Sequence, residues 1–566
     1  MVAPPLARRQ GGSVEGPGAA GTPQTAATAR GAGLIAALTL AARLVGFGRI
    51  FVFSSLIGVT ALGNVYQTVN TLPNIIFEIV AGGALASVVV PLLSAAVQRG
   101  DTATVDRTSS ALLTWAVTVL APLAIAVAAL AGPIVTLLLG PDAGADAVEV
   151  GTRMLRVFAP QLVLYGVGIV LTGVLQAHHR FAGPALAPLL SSVTVVGSYL
   201  LFAAVAGRNA DLGGLAISAE LILSVGTTLG VVVLSLSLLV PLRRTGVRLR
   251  PAYRFPDGEA GRVRALVGSG IATVIGQQLA LLVVVVLTQR PAPVGATVAY
   301  TLTQTIFFLP WAVLAVPVAT SAFPRLAAAY GTGDLDAYRR TLSASTRAVL
   351  LLSAAAAAAL IATARPIGEV VAAFTAGEDR ATALAWAIAA FAPGLIGYSL
   401  LALLTRALYA SGVTRSTAVV TSAGWAVVIG ADLALAFVLP ISDRVAALAA
   451  GHTVGMTVLG AGLIALTVRR HGAAALAGTA RSGLASLVAA VVATAVGLGV
   501  GELIRGSSVG ASLGQGILVG TVVLVVFVAT AAVADPDDVR PLVRGLAARF
   551  GFGKRQAGST RNGERS

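Results

Sequence analysis

The sequence predicts an all-α polytopic membrane protein of about fourteen transmembrane helices, arranged as two pseudo-symmetric six-helix lobes plus two C-terminal helices. Three observations carry this. Of 566 residues, 56% are hydrophobic and only 11% charged, with a mean hydropathy of +0.89, whereas an ordinary soluble domain carries roughly a quarter charged residues. Apolar runs of the ~20 residues needed to cross a bilayer core recur along the whole chain. The two halves also repeat each other in register.

Residues 1–30 are rich in Ala, Gly, Pro and Thr and lack an apolar core, which predicts a flexible cytoplasmic tail rather than a signal peptide and leaves targeting to the first helix. Spans follow near 31–57, 65–97, 109–139, 151–177, 182–206 and 212–241, making a first lobe over 31–241. A basic linker, 242–262, carries Arg243, Arg244, Arg248, Arg250, Arg254 and Arg262. The second lobe, 263–468, holds spans near 263–288, 295–328, 342–374, 381–411, 415–440 and 444–468. Spans near 479–502 and 509–534 occupy 469–535, and a basic tail, 536–566, leaves no room for an appended domain. Several spans exceed the minimum, which tilt or extension beyond the bilayer accommodates.

The formal net charge is +16. Its arginines fall mainly in alternate loops, and that one-sidedness predicts a multi-pass protein with both termini cytoplasmic. It also explains the charge without a nucleic acid, because basic patches with interleaved aromatics are missing. Cysteine is absent, so disulfide and thiolate chemistry are excluded. The four histidines show no ligand spacing, and no metal centre is expected.

The repeat is specific. "FAPQLVLYGVGIVLTGVLQA" (158–177) aligns without a gap on "FAPGLIGYSLLALLTRALYA" (391–410). The same offset brings Pro91, Gly100, Asp101, Arg107 and Thr108 onto Pro324, Gly333, Asp334, Arg340 and Thr341. Six helices per copy is an even number, so both copies share one orientation, an arrangement common in transporters whose substrate site lies between the halves. Prolines inside spans, among them Pro73, Pro160, Pro310 and Pro393, suit helices that bend around a cavity or are simply tolerated there.

Charged residues inside spans single out candidate site residues. Arg43 lies about 18 Å into the first span, near mid-bilayer, where an arginine costs ~2.5–3.5 kcal/mol. Arg49 lies ~120° around the same helix, so one cavity serves both only if it is broad or the helix bends at Gly46 and Gly48. Three readings compete: snorkelling to an interface, an internal ion pair with Glu78, and an anion site in a water-filled cavity, where guanidinium forks match phosphate oxygens. The second lobe has Gly276 and Leu282 at the equivalent positions, whereas a role required by the fold itself should recur in both. Asp432 and Glu220 are further acids within spans, Asp432 being either a coupling-cation or proton site or a structural acid.

The stretch "AARLVGFGRIFVFSSLIGVTALGNVYQTVNTLPN" followed by "AGGALASVVVPLLS" resembles the opening of the MurJ/MviN lipid II flippases of the MOP transporter superfamily. "HHRFAGPALAPLLSSV" (178–193) and "TRALYASGVTRS" (405–416) resemble that family's segments after helices four and ten. The resemblance implies a V-shaped MOP-type transporter, not an enzyme, of the bacterial cytoplasmic membrane. Its cargo would be lipid II, the undecaprenyl-diphosphate-linked disaccharide pentapeptide of peptidoglycan synthesis, moved from the inner to the outer leaflet by alternating access. Arg43 and Arg49 fall on the family's two helix-one arginines and Asn74 on the Asn of its LPN motif, which makes these three the substrate-binding candidates.

Asp432 and Glu78 are the candidates for ion coupling or internal pairing, with Na⁺, H⁺ or the membrane potential as driving force and no other cofactor. Membrane lipids and cell-wall synthases are further expected partners. Other family positions depart: Phe77 and Glu78 stand for the basic pair after LPN, Asn64 for an acid and Thr305 for an arginine. Alternative readings are a flippase for another polyprenyl-linked oligosaccharide, a MOP-type drug exporter, an intramembrane polyprenyl-phosphate enzyme and a non-transporting scaffold. Against the enzyme, the sequence holds no H-E-x-x-H or P-loop pattern.

Overall fold

The computed structural model describes residues 23–79, 86–255, 274–375, 380–504, 506 and 508–539, and among them every regular element is helical. The first half contains α1 (Pro23–Leu56), α2 (Ala61–Glu78), α3 (Ala86–Gln98), α4 (Thr102–Ala129), α5 (Ala131–Leu139), α6 (Ala145–Phe158), α7 (Gln161–Ala177), α8 (Ala182–Ala206), α9 (Ile217–Leu236) and the short α10 (Leu239–Arg243). The second contains α11 (Val274–Leu287), α12 (Ala296–Pro310), α13 (Val316–Gly331), α14 (Leu335–Thr375), α15 (Ala381–Phe391), α16 (Gly394–Ala410), α17 (Thr414–Val438) and α18 (Arg444–His471), followed by α19 (Thr479–Leu503) and α20 (Val509–Ala534).

Among the described residues, ten helical runs are long and apolar enough to cross a membrane, or eleven with the α15–α16 pair, which bends by 42°. Helices also occupy the described parts of the three remaining expected spans, near 31–57, 65–97 and 263–288. α1 opens at Pro23, inside the stretch 1–30 expected as a tail. Residues 1–22, 256–273 and 540–566, which hold the rest of that tail, the later part of the linker and most of the basic C-terminal tail, lie outside the described residues.

Breaks within spans have chemical causes, and they recur at equivalent places in the two halves. Proline lacks the N–H that would continue the helix, and α6 gives way to α7 at Pro160 as α15 gives way to α16 at Pro393. In each half a threonine from the sixth span satisfies a carbonyl beside that break: Thr228 donates to Val157 O at 2.9 Å and Thr453 to Ala390 O at 2.6 Å. The Gly-Asp turns also match. Gly100 and Gly333 take left-handed φ values of 69° and 76°. Asp101 and Asp334 then cap the next helices, accepting from Thr104 N at 3.0 Å and Ala337 N at 2.8 Å.

Each half has its own apolar core. Phe53, Tyr66, Met154, Phe158 and Phe202 centre the first, and Tyr300, Phe307, Phe391, Leu403 and Met456 the second. α19 and α20 pack on α14 through Ala358, Ala489, Ala493, Val523 and Phe527, where alanines allow the close approach that membrane helices rely on. α1 belongs to both halves: Phe53 lies in the first core, while Phe47, Ile50 and Phe51 pack on Leu302, Ile306, Leu360 and Leu384 of the second.

Glu220 is buried but fully engaged. Arg153 Nε donates to its Oε1 at 3.1 Å and its Oε2 at 2.9 Å, and Nη2 donates to Oε2 at 2.7 Å. This bidentate pair ties α6 to α9 and gives Glu220 a structural part.

Candidate functional site

The largest cavity among those described, about 550 Å³, lies between the halves. Its wall combines Arg43, Gly46, Phe47 and Ile50 of α1 with Asn74 and Glu78 of α2, and continues through Gln277 and Gln278 of α11, Gln304 and Thr305 of α12, and Tyr398, Trp425 and His452 of α16, α17 and α18. α1 is one continuous helix through Gly46 and Gly48, and Arg49 is not part of this wall. A Cβ at either glycine would meet nothing within 4 Å, so neither marks a tight packing contact.

Arg49 therefore opens elsewhere, as six residues at 100° each require. It lines a second cavity of about 80 Å³ with Tyr66, Gln67, Asn70, Tyr199, Thr227 and Thr301, room for a few waters of ~30 Å³ each. Ile50 and Asn74 line both cavities. Asn74 is held in this dividing position from both ends: its Nδ2 donates to Asn70 O at 2.9 Å and its Oδ1 accepts from Tyr165 O–H at 2.9 Å.

Among the described residues neither guanidinium has a hydrogen-bond or ion-pair partner. Of the readings for Arg43, the ion pair with Glu78 is not formed among the described residues, although Glu78 lines the same cavity. Asp432 is unpaired too. It is fully buried and both carboxylate oxygens lack a partner. It stands one turn beyond Val428, which lines the large cavity, and packs so tightly on α18 that a Cβ at Gly451 would come within 2.1 Å of its Oδ1.

Two departures acquire a structural meaning. Phe77 faces away from the arginines, stacking on Tyr165 at 4.3 Å between ring centroids and lining a separate apolar cavity of about 300 Å³. Thr305 does reach the large cavity, with its hydroxyl donated back to Thr301 O at 2.6 Å. The wall beside it is distorted: after Pro310 the helix passes through a π turn, Trp311–Ala315, that places Trp311 and Ala312 on the cavity. Such turns concentrate at functional sites.

The halves are joined by hydrogen bonds at the ends of the helices distant from the arginine-rich loops. Asn64 Nδ2 donates to Gln289 Oε1 at 2.9 Å, and Asn64 Oδ1 accepts from Thr297 N at 3.0 Å. Gln289 Nε2 donates to Thr68 Oγ1 at 2.5 Å and Thr297 Oγ1 at 2.9 Å. Arg380 Nη1 donates to Val59 O at 2.7 Å, and Arg290 reaches the carbonyls that end α5. Gly295, with φ of 81°, lets the backbones meet there, since a Cβ would lie 2.6 Å from Val59 O. Asn64 is thus a neutral member of a seal closing one mouth of the space between the halves.

A family model for the lipid II flippase MurJ matches residues 53–530. The chain belongs to the MurJ family. A probable lipid II flippase MurJ of Rickettsia prowazekii is 24% identical, over 69% of this chain and 74% of its own length. The lipid II flippase MurJ of Burkholderia cenocepacia is 27% identical, over 66% and 72%. Among solved structures, lipid II flippase MurJ in an inward closed conformation superposes with a TM-score of 0.71 at 17% identity, over 90% of this chain and all of that one. An inward-facing MATE-family multidrug transporter of the MOP superfamily gives 0.62 at 14% identity, over 78% and 98%. At these identities the structural likeness is one of fold.

For a MurJ-family chain, several cavity residues were not legible as such. His452 carries no ligand spacing, yet it is buried among Phe307, Phe391, Tyr398 and Trp425 with its Nε2 unpartnered and on the cavity wall. Tyr398 carried a signal of a kind, as the repeat partner of Tyr165, the residue that holds Asn74. Among the described residues no group of three His, Cys, Asp or Glu could hold a metal.

Proposed function

We propose that this chain moves lipid II across the membrane by alternating access between its two halves. The observation that carries the reading is the cavity between the halves, which sets Arg43 among amides, aromatics and Glu78 with, among the described residues, no anion paired to it. A free guanidinium facing a cavity selects a ligand with paired anionic oxygens, and a lipid-linked diphosphate supplies them. With the arginine-rich loops on the cytoplasmic side, the Asn64–Gln289 seal closes the outer mouth, and the closed seal describes the state that receives substrate from the inner leaflet.

The deciding experiment depletes a cell of its own lipid II flippase, supplies this chain, and measures how much lipid-linked precursor becomes accessible from outside. Accessible precursor should return to near the undepleted level. Precursor that stays inside despite good membrane expression would sink the proposal, and transport of a different polyprenyl-linked oligosaccharide would move it to the neighbouring substrate class.

Asp432 is the coupling residue in this reading. A buried carboxylate without a partner is stable only if it binds a proton or a cation, and its place behind Val428 lets that event bear on the cavity wall. Asp432→Asn should slow transport several-fold and remove its dependence on pH or Na⁺. Glu78→Gln is the comparison, because Glu78 is the other unpaired acid at the cavity. If Asp432→Asn keeps the ion dependence and Glu78→Gln loses it, the coupling role passes to Glu78.

A further inference from the structure

The segment leaving α10 does not hang free. Residues 247–255 run extended along α4 and are held by one side chain per helical turn. Asp106 Oδ1 accepts from Arg248 N at 2.9 Å, Ser110 Oγ from Arg250 N at 3.0 Å, and Thr114 Oγ1 from Ala252 N at 3.0 Å. Two further contacts finish the row: Trp115 Nε1 donates to Tyr253 O at 3.1 Å, and Thr118 Oγ1 meets Tyr253 Oη at 3.2 Å. The register holds because four helical residues rise ~6.0 Å and two extended residues ~6.6 Å. An acceptor at every fourth position of α4 therefore meets every second N–H of the strap.

This geometry sorts the strap's side chains. With the even-numbered N–H groups turned to α4, Val247 and Leu249 pack on the core formed by Val105, Leu112 and Leu242, while Arg248, Arg250 and Arg254 are exposed. Among the described residues none of the three guanidinium groups forms an ion pair, the Asp106 carboxylate being engaged by the Arg248 backbone N–H instead. Beside them Trp115 and Tyr253, 44% and 58% exposed, form an edge-to-face pair with centroids 5.6 Å apart. The rungs Asp106, Ser110 and Thr114 lie in the first half of α4 (Thr102–Ala129), the half next to the arginine-rich linker. An exposed Trp–Tyr pair beside a row of arginines is the chemistry of a membrane–water interface, where such rings concentrate.

We propose that the α4-held strap is a binding surface for anionic phospholipid headgroups, with Arg248, Arg250 and Arg254 on the headgroup phosphates and Trp115–Tyr253 fixing the depth. Loop arginines that merely obey the positive-inside rule need no fixed geometry; these three are spaced by a hydrogen-bonded backbone, which reduces the ordering cost of holding a headgroup. The equivalent face of α14 also holds the segment after its sixth span, through Ser343 to Ala477 O and Arg339 to His471 O. There Arg339, Ser343 and Arg347 donate to carbonyls of a segment, 471–478, that carries no arginine, so the outward arginine row belongs to the first half alone.

The test uses the purified full chain in phosphatidylcholine nanodiscs, with phosphatidylglycerol or lipid II titrated in and bound lipid counted by native mass spectrometry. The triple variant Arg248→Gln, Arg250→Gln, Arg254→Gln is compared with the wild type and with Arg469→Gln, Arg470→Gln, a basic pair at the end of α18. Each arginine near an anionic surface contributes about five-fold, so the triple variant should lose phosphatidylglycerol affinity on the order of a hundred-fold. It should keep lipid II binding and its unfolding temperature, and the α18 pair should retain phosphatidylglycerol. Unchanged phosphatidylglycerol binding overturns the proposal. So does an equal loss in the α18 variant, which would reduce the effect to bulk charge, or a loss confined to lipid II, which would give the strap to the substrate.

Discussion

Cells depleted of their own lipid II flippase and supplied with the Arg43→Ala chain are expected to leave most precursor at the inner face, with transport down about thirty-fold or more. The figure follows from truncating one member of a charge pair in a sheltered site, which costs ~2–5 kcal/mol; the lower end applies because this cavity admits water. Membrane expression should not change, since among the described residues Arg43 holds no group that its loss would leave unpaired. Arg43→Lys should rescue only in part, because a lysine keeps the charge and loses the two-pronged geometry. Arg49→Ala should impair transport less severely. It faces a compartment of about 80 Å³, against about 550 Å³ for Arg43, so it acts at the edge of the substrate or after the halves have moved. Full transport by both alanine variants would mean that neither guanidinium meets the cargo.

The fold was legible from the sequence because its determinants are local. Spans follow from apolar run length, and the Gly100–Asp101 and Gly333–Asp334 turns and the Pro160 and Pro393 breaks depend on backbone chemistry that each residue carries by itself. The site was legible only where cost gave it away. An arginine at mid-bilayer demands an explanation, so Arg43 and Arg49 stood out, and their 120° separation foretold two faces. Which faces meet which cavities depends on helix rotation and packing, which apolar periodicity hardly constrains in a chain where most positions are apolar. Phe77 and Glu78 are adjacent, yet one stacks on Tyr165 and the other faces Arg43. His452 reached the cavity wall through packing of α18 against α16 and α17, a long-range fact with no spacing signature.

The departures share a direction. Asn64 and Thr305 replace charged family positions with neutral ones, and Glu78 adds an acid to the cavity. A less basic cavity holds a diphosphate less tightly, and a neutral seal opens at lower cost. Under the proposed function both changes would favour release over retention and leave more of the recognition to Arg43.

The seal is where that argument can be measured. Gln289 is its hub, bonded to Asn64, Thr68 and Thr297 at once. Gln289→Ala would leave the Asn64 amide without its partner, while Thr68 keeps Thr297 Oγ1 at 3.5 Å and Thr297 keeps Thr288 at 2.8 Å. That stranded group costs ~1–3 kcal/mol, and the cost falls only on the closed state, because the open mouth lets water serve it. A difference confined to one state shifts the balance by its full amount, here about five- to a hundred-fold toward opening. The absence of native cysteine makes the readout direct. Thr301→Cys lies one turn deeper than Thr297 on α12, on the Arg49 cavity, and a membrane-impermeant maleimide added outside the cell should label it faster in the Gln289→Ala background by that factor. Asn64→Ala should act likewise, and the double variant should add little, because both changes break one network. Labelling that stays slow in all three would mean that the outer mouth is held by the Arg380–Val59 and Arg290–α5 contacts instead, and that the neutral cluster follows the opening without setting it.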